Sequence, residues 1–253
     1  MILSISGKKG SGKDLVGKII QYWSICSWDT YLEDKENGTV MAEMNGAKSF
    51  SEWEIKKFAG KVNEVCSIIT GVPLYLWEDN DFKQSYLDSN WDLDIPVSTD
   101  PQSIIDSVHY TKKFSVRSMM QKVGTDAIRD MIHPNTWITA LFADYKLVSA
   151  KFGTIDYSNP NVKFQQIGDE SVIEYPNWII TDTRFPNEIE AIKKRGGITI
   201  NVVRNNGTRT IDIHPSETSL DTYIFDHVLD NDSDIDSLMV KVRTLLQTLK
   251  LIK

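Results

Sequence analysis

Ile2-Leu3-Ser4-Ile5-Ser6-Gly7-Lys8-Lys9-Gly10-Ser11-Gly12-Lys13-Asp14 decides the fold. Its first five residues read as a short buried strand. From Lys13 to Ser24 the apolar residues Leu15, Val16, Ile19, Ile20 and Trp23 recur at helical spacing. Between strand and helix, Gly7 to Lys13 fits G-x-x-x-x-G-K, the pattern of a phosphate loop, in the context that such a loop requires. The glycines let successive N–H groups turn toward phosphate oxygens, and the helix N-terminus adds partial positive charge there. Lys13 is placed to reach the β- and γ-phosphates of a nucleoside triphosphate. Asp14 stands where the motif normally has Ser or Thr, and a carboxylate there can hold Mg²⁺ directly or through water. The alternative is a plain glycine-rich turn.

A second strand–helix alternation appears late in the chain. Trp178 to Thr181 is a short buried strand, Asn187 to Arg195 a helix stopped by Gly196-Gly197, and Ile198 to Val203 another strand. Tyr223 to Leu229 reads as a final strand and Ile235 to Leu251 as an amphipathic helix. Alternation at both ends implies a parallel α/β sheet. In between, Phe50 to Thr70 carries a helical pattern, as do Ser115 to Ile132 and Trp137 to Lys151. Residues 27–51 read as mixed and polar, 78–100 as an acidic exposed insertion, 153–176 as loop or hairpin, and 205–222 as a turn-rich lid.

Asp182 follows its strand directly, where P-loop proteins place a second Mg²⁺-positioning acid. Arg184 and Arg204 fall at strand ends, where open α/β sheets bind ligands. The alternatives are a helix cap for Asp182 and a surface ion pair for Arg184. Arg117 and Arg129 flank Gln121 and Gly124-Thr125-Asp126; a planar guanidinium suits phosphate, and solvated helix charge is the competing reading.

Composition bounds the rest. In 253 residues, 28 basic against 35 acidic side chains give net −7, which speaks against a nucleic-acid-binding face. The two cysteines, Cys26 and Cys66, are too few for a disulfide framework and read as reduced and packed. His109, His133 and His227 have no ligand spacing. No apolar run reaches membrane-spanning length, so a soluble cytoplasmic protein is expected.

Several blocks together resemble the phage deoxynucleoside monophosphate kinases. The loop Ser6 to Asp14 is similar to theirs, with the same Asp after the lysine. Phe114 to Asp126 resembles their arginine–glutamine–Gly-Thr-Asp block, Trp137 to Tyr145 their tryptophan-bearing helix, and Asp182-Thr183-Arg184 and Val202-Val203-Arg204 their later strand ends. His214 to Glu217 resembles their histidine–glutamate segment. The resemblance implies one P-loop NTPase-like kinase domain over 1–253: a three-layer core (about 1–26, 113–152 and 177–253), a helical monophosphate-binding insertion (about 27–112) and the lid. It implies transfer of the γ-phosphoryl of ATP, with Mg²⁺, to a 2′-deoxynucleoside 5′-monophosphate, in a homodimer without nucleic acid or membrane. Gly10, Ser11, Gly12, Lys13, Asp14 and Leu15 would fall on the ATP side. Lys9, Phe58, Arg117, Thr125, Asp126, Arg129 and Trp137 would fall on the monophosphate side. Lys13, Asp182, Arg184 and Arg204 would be catalytic, with Asp14 and Asp182 near the metal. One departure is that Asn63 aligns where the family often has a lysine, while Lys61 comes early. Other P-loop proteins compete: a phosphomevalonate-kinase-like enzyme, or an ATPase of an assembly machine.

Overall fold

The computed structural model describes residues 1–96, 109–149, 166–167, 170–171, 173–205 and 218–252. They form two compact units, Met1–Phe58 with Leu141–Lys253, and Ala59–Ala140. Residues 27–58, grouped with the insertion in the sequence reading, thus cluster with the phosphate loop.

Among the described residues the larger unit is built on one five-stranded sheet: β1 (Ile2–Ser6), β2 (Trp53–Lys56), β3 (Asn177–Ile180), β4 (Ile198–Val203) and β5 (His227–Asp230). Their order is β5-β4-β1-β3-β2 and every pairing is parallel. β1 lies in the middle, with Leu3 opposite Ile198 on one side and Ile179 on the other. All five of its residues are buried, as expected of a strand covered on both faces. Helix α1 (Lys13–Trp23) carries the chain from β1 toward β2, and α7 (Pro186–Lys193) carries it from β3 past β1 to β4. These crossovers run in opposite directions. Right-handed connection therefore puts α1 and α7 on opposite faces and opens a crevice at the carboxyl ends of β1 and β3. The C-terminal helix α8 (Ile235–Thr248) packs with α1. Leu238, Met239, Val242 and Leu246 join Val16, Ile19, Ile20 and Trp23 in the main core. The Trp23 indole N–H, which burial would otherwise strand, donates to the Met239 carbonyl at 3.0 Å.

The smaller unit has its own core of Val62, Cys66, Trp77, Leu87, Phe114, Val116, Met119, Val123 and Trp137. Its helical parts are most of α4 (Phe58–Thr70), α5 (Val116–Gln121), a π-helix over Lys122–Asp130, and most of α6 (Thr136–Phe142). Short 3₁₀ turns and an antiparallel pair, Leu93–Pro96 with His109–Lys112, connect them.

Several expectations are corrected. The helix expected from Phe50 begins only at Phe58, because Trp53–Lys56 is the edge strand β2. The polar stretch 27–51 holds two helices, α2 (Trp28–Asn37) and α3 (Val40–Gly46). Ser27 caps α2 by accepting from Thr30 N at 3.1 Å, and Gly38 ends it at φ +69°. The helix expected from Trp137 to Lys151 stops at Phe142. Tyr145 leaves it to set its ring 4.8 Å from that of Trp178 and 4.9 Å from that of Tyr175. The final strand is His227–Asp230 rather than Tyr223 to Leu229. Most of the expected lid, His214 to Glu217 included, lies outside the described residues. Both cysteines are free thiols; burial raises the pKa of Cys66 to about 11, which leaves it protonated and inert. Among the described residues no helix is long and apolar enough to cross a membrane.

Candidate active site

The loop after β1 turns on glycines at positive φ, +146° at Gly7, +79° at Gly10 and +98° at Gly12. At Gly7 the backbone passes so close to β4 that a Cβ would sit 2.4 Å from the Val202 carbonyl oxygen. Ser11 N donates to Lys8 O at 3.1 Å, closing the turn, and Val16 N to Gly12 O at 2.9 Å, starting α1. The Lys13 ammonium bends back over the loop and donates to Gly7 O at 2.7 Å and Lys8 O at 2.8 Å. It is held above the glycine-lined turn, as the motif requires of the lysine that meets terminal phosphates. Ser11 is buried, Gly10 and Lys9 are exposed, and Leu15 packs on the main core. Lys8 is ion-paired with Asp221.

The strand ends gather around this loop. Asp14 Oδ1 accepts from the Thr181 hydroxyl at 2.6 Å, which ties the first turn of α1 to the end of β3. The same oxygen lies 2.8 Å from Lys57 Nζ, at the end of β2. Partial burial raises the pKa of Asp14, but the hydrogen bonds from Lys57 and Thr181 and the charges of Lys57 and Lys13 outweigh it. The group is held below its ordinary 3.8 and stays ionised. Asp182, one residue beyond Thr181, accepts from Phe58 N at 2.9 Å and so caps the start of α4. The helix-cap alternative for Asp182 is therefore realised, though at a helix 124 residues away in sequence. Thr183 accepts from Ser4 Oγ at 2.8 Å, fixing the Asp-Thr-Arg segment to β1. Arg184 follows, half-buried, and its N–H and that of Phe185 both donate to the buried Glu188 Oε2, at 2.7 and 3.0 Å. Arg204 is exposed at the end of β4, and its neighbour Asn205 donates from Nδ2 to Asp232 at 2.6 Å.

Of the residues assigned to the monophosphate, Lys9 and Phe58 fall in the larger unit. The Phe58 ring is buried, in an edge contact with Phe142 at 6.3 Å. The others fall in the smaller unit. Arg117 is exposed on α5, and Thr125, Asp126 and Arg129 share the π-helix, with Asp126 exposed and the other two half-buried. π-helical turns are rare and concentrate at functional sites. Trp137 is buried and donates its indole N–H to Gly124 O at 2.7 Å, so it holds the Gly-Thr-Asp turn in place. Lys57 and Thr181 had no motif to mark them, since each works through a contact between distant segments, whereas Glu188 acts locally, on N–H groups three and four residues before it at the start of α7.

A glycine-rich anion loop at the central strand of a parallel sheet, with a strand-end carboxylate and arginines on neighbouring strand ends, defines a P-loop NTPase-like fold. The profile of the deoxynucleotide monophosphate kinase family matches residues 27–242. That match begins after the phosphate loop, so loop and profile are separate indications. The chain belongs to this family. It is 28% identical over 134 residues to the deoxynucleotide monophosphate kinase of Escherichia phage RB69, covering 53% of this chain and 46% of the relative. Against that of Enterobacteria phage T4 it is 28% identical over 137 residues, covering 54% and 47%. The chain thus spans about half the length of these two curated relatives. The deoxynucleoside-5′-monophosphate kinase of Escherichia phage T5 is 26% identical over 280 aligned positions, covering 96% and 94%.

Proposed function

We propose that the chain transfers the γ-phosphoryl group of ATP to a 2′-deoxynucleoside 5′-monophosphate. The observation that carries this reading is the phosphate loop with Lys13 folded over it, in a chain of the deoxynucleotide monophosphate kinase family. Phosphoryl transfer needs alignment and charge neutralisation more than covalent help from the protein. The N–H groups of the Gly7–Lys13 turn and the Lys13 ammonium bind the triphosphate. Arg184 and Arg204 stabilise negative charge on the transferring group. Arg117 and Arg129, with Lys9, hold the phosphate of the acceptor, and Thr125 and Asp126 orient the nucleoside. The acceptor oxygen is already anionic, so no side chain has to remove a proton.

The donor set suits Mg²⁺. This ion takes one or two carboxylates and completes its shell with water and substrate phosphates. Asp14 is ionised, partly exposed and next to Lys13, and Asp182 stands at the same sheet edge. When bound, Mg²⁺ supplies neutralisation of the β- and γ-phosphate oxygens. The family resemblance adds a homodimer, which light scattering tests, and a cytoplasmic location, that of the host if the chain is phage-encoded.

The experiment is a panel of the four deoxynucleoside monophosphates offered with ATP and Mg²⁺, with diphosphate product separated and counted. The reading expects turnover of at least one. ATP hydrolysed with every acceptor left unchanged refutes it and favours an ATPase.

A further inference from the structure

The glycines of the phosphate loop create a problem. Glycine at positions 10 and 12 lets the backbone wrap an anion, and the same freedom lets a peptide plane turn over. A flipped Ser11–Gly12 peptide would aim its carbonyl oxygen, instead of its N–H, at a phosphate. Something outside the loop has to choose between the two orientations.

Asn231 is placed to do so. It follows β5, is 6% exposed, and is fixed by its own N–H donating to Val203 O at 2.8 Å. Its side-chain Nδ2 donates to Ser11 O at 2.8 Å, a buried contact across 220 residues. The same nitrogen lies so near Gly12 that a Cβ there would come within 2.5 Å of it. Among the described residues there is no cis peptide bond, and in a planar trans peptide the C=O and the following N–H point in opposite directions. Holding the Ser11 carbonyl toward Asn231 therefore turns the Gly12 N–H away from it. Asp232, the next residue, accepts from Asn205 beside Arg204, so one short segment ties both the phosphate loop and the end of β4.

We infer that Asn231 is a positioning residue of the nucleotide site: its amide fixes the Ser11–Gly12 peptide so that the Gly12 N–H faces the triphosphate. The inference rests on the kinase reading of the loop. Asn231 makes no contact with the reacting atoms; it works by removing the wrong orientation before ATP arrives. Losing the donor leaves a buried carbonyl unsatisfied and frees the peptide to turn toward the anion.

Two substitutions test this. Asn231→Ala removes the side chain. Asn231→Asp keeps its size and replaces the donor by a carboxylate facing the same carbonyl. In calorimetry with Mg²⁺, each should raise the Kd for ATP by about tenfold, Asp at least as much as Ala. The KM for the monophosphate at saturating ATP should stay within about twofold, since the acceptor residues are untouched. An ATP Kd unchanged in folded variants overturns the inference. So does a parallel loss of ATP and acceptor binding, or unfolding of both variants, either of which makes Asn231 a scaffold residue. The wild type separates the layers. If it binds ATP but phosphorylates no deoxynucleotide, the proposed activity fails while the ATP comparison still decides Asn231. If it binds no ATP, both fall.

Discussion

Gly7→Ala puts a methyl group where β4 and the phosphate loop nearly touch. The new Cβ would lie 2.4 Å from Val202 O and 2.6 Å from Ser11 Oγ. Neither neighbour can give way cheaply, because Val202 is buried in β4 with its Cα opposite Leu229 of β5, and Ser11 is buried within the loop. The residue would also keep φ at +146°, where an L side chain is strained. Backbone strain of this kind costs about 1–3 kcal/mol. Overpacking adds about 1–3 kcal/mol. The sum is about 2–6 kcal/mol, a large part of the roughly 5–15 kcal/mol that holds a domain together. Gly10→Ala is the matched control. Its φ is +79°, but nothing lies within 4 Å of the added Cβ, so only the left-handed cost of about 1–2 kcal/mol applies. Urea denaturation followed by circular dichroism, with an ATP titration of whatever remains folded, measures both. Gly7→Ala should shift the midpoint much further than Gly10→Ala and lose ATP binding. Equal midpoints, or a Gly7→Ala protein that binds ATP normally, would refute the close approach from which the loop geometry is argued.

Other consequences are equally specific. Glu188→Ala leaves the N–H groups of Arg184 and Phe185 without their shared acceptor and should cost about 2–3 kcal/mol in urea, with kcat falling because Arg184 is displaced. Arg117→Ala, at an exposed position, should leave stability within about 0.5 kcal/mol while raising the KM for the monophosphate and sparing ATP affinity. Trp137→Phe removes the donor to Gly124 O and should weaken acceptor use with a stability loss of about 1–2 kcal/mol. The Asp14 pKa is depressed in the fold, so its contribution to stability is present above the unfolded value of 3.8 and is lost as pH falls through the lower folded value. Lys57→Ala should therefore reduce stability at neutral pH, by no more than about 1 kcal/mol for so exposed a pair. The gap should close below about pH 4 in denaturation curves taken at several pH values.

What the sequence disclosed, and what it hid, follows from where the information sits. β1, the glycine turn and α1 were legible because each is written in adjacent residues: a five-residue apolar run, spaced glycines, then a helical stripe. β3, α7 and β4 were legible for the same reason, and the position of Asp182 followed from the strand before it. β2 was not, because the four residues Trp53–Lys56 are too few for an alternating pattern and abut the stripe of α4. The helices α2 and α3 were missed because Tyr31 and Met44 are their only buried residues, which leaves no apolar stripe to read. Phe142 looked like mid-helix and is the end of one, since Phe142 and Tyr145 both pack on Trp178, a partner that no local pattern announces. The candidate site divides along the same line. Lys13, Asp14 and Asp182 were marked by motif and by strand ends. Lys57, Thr181 and Asn231, which hold Asp14 and Ser11 in place, come from segments far away in sequence, and no local pattern announces those contacts.

The account depends most on the loop between β1 and α1 holding the phosphates of a nucleoside triphosphate. Calorimetric titration of the intact chain with ATP in the presence of Mg²⁺ tests this most directly, with Lys13→Ala in parallel. The account predicts one saturable site per chain that is lost or greatly weakened when the ammonium is removed. Heat that is absent from the wild type, or unchanged in the folded Lys13→Ala protein, would contradict it.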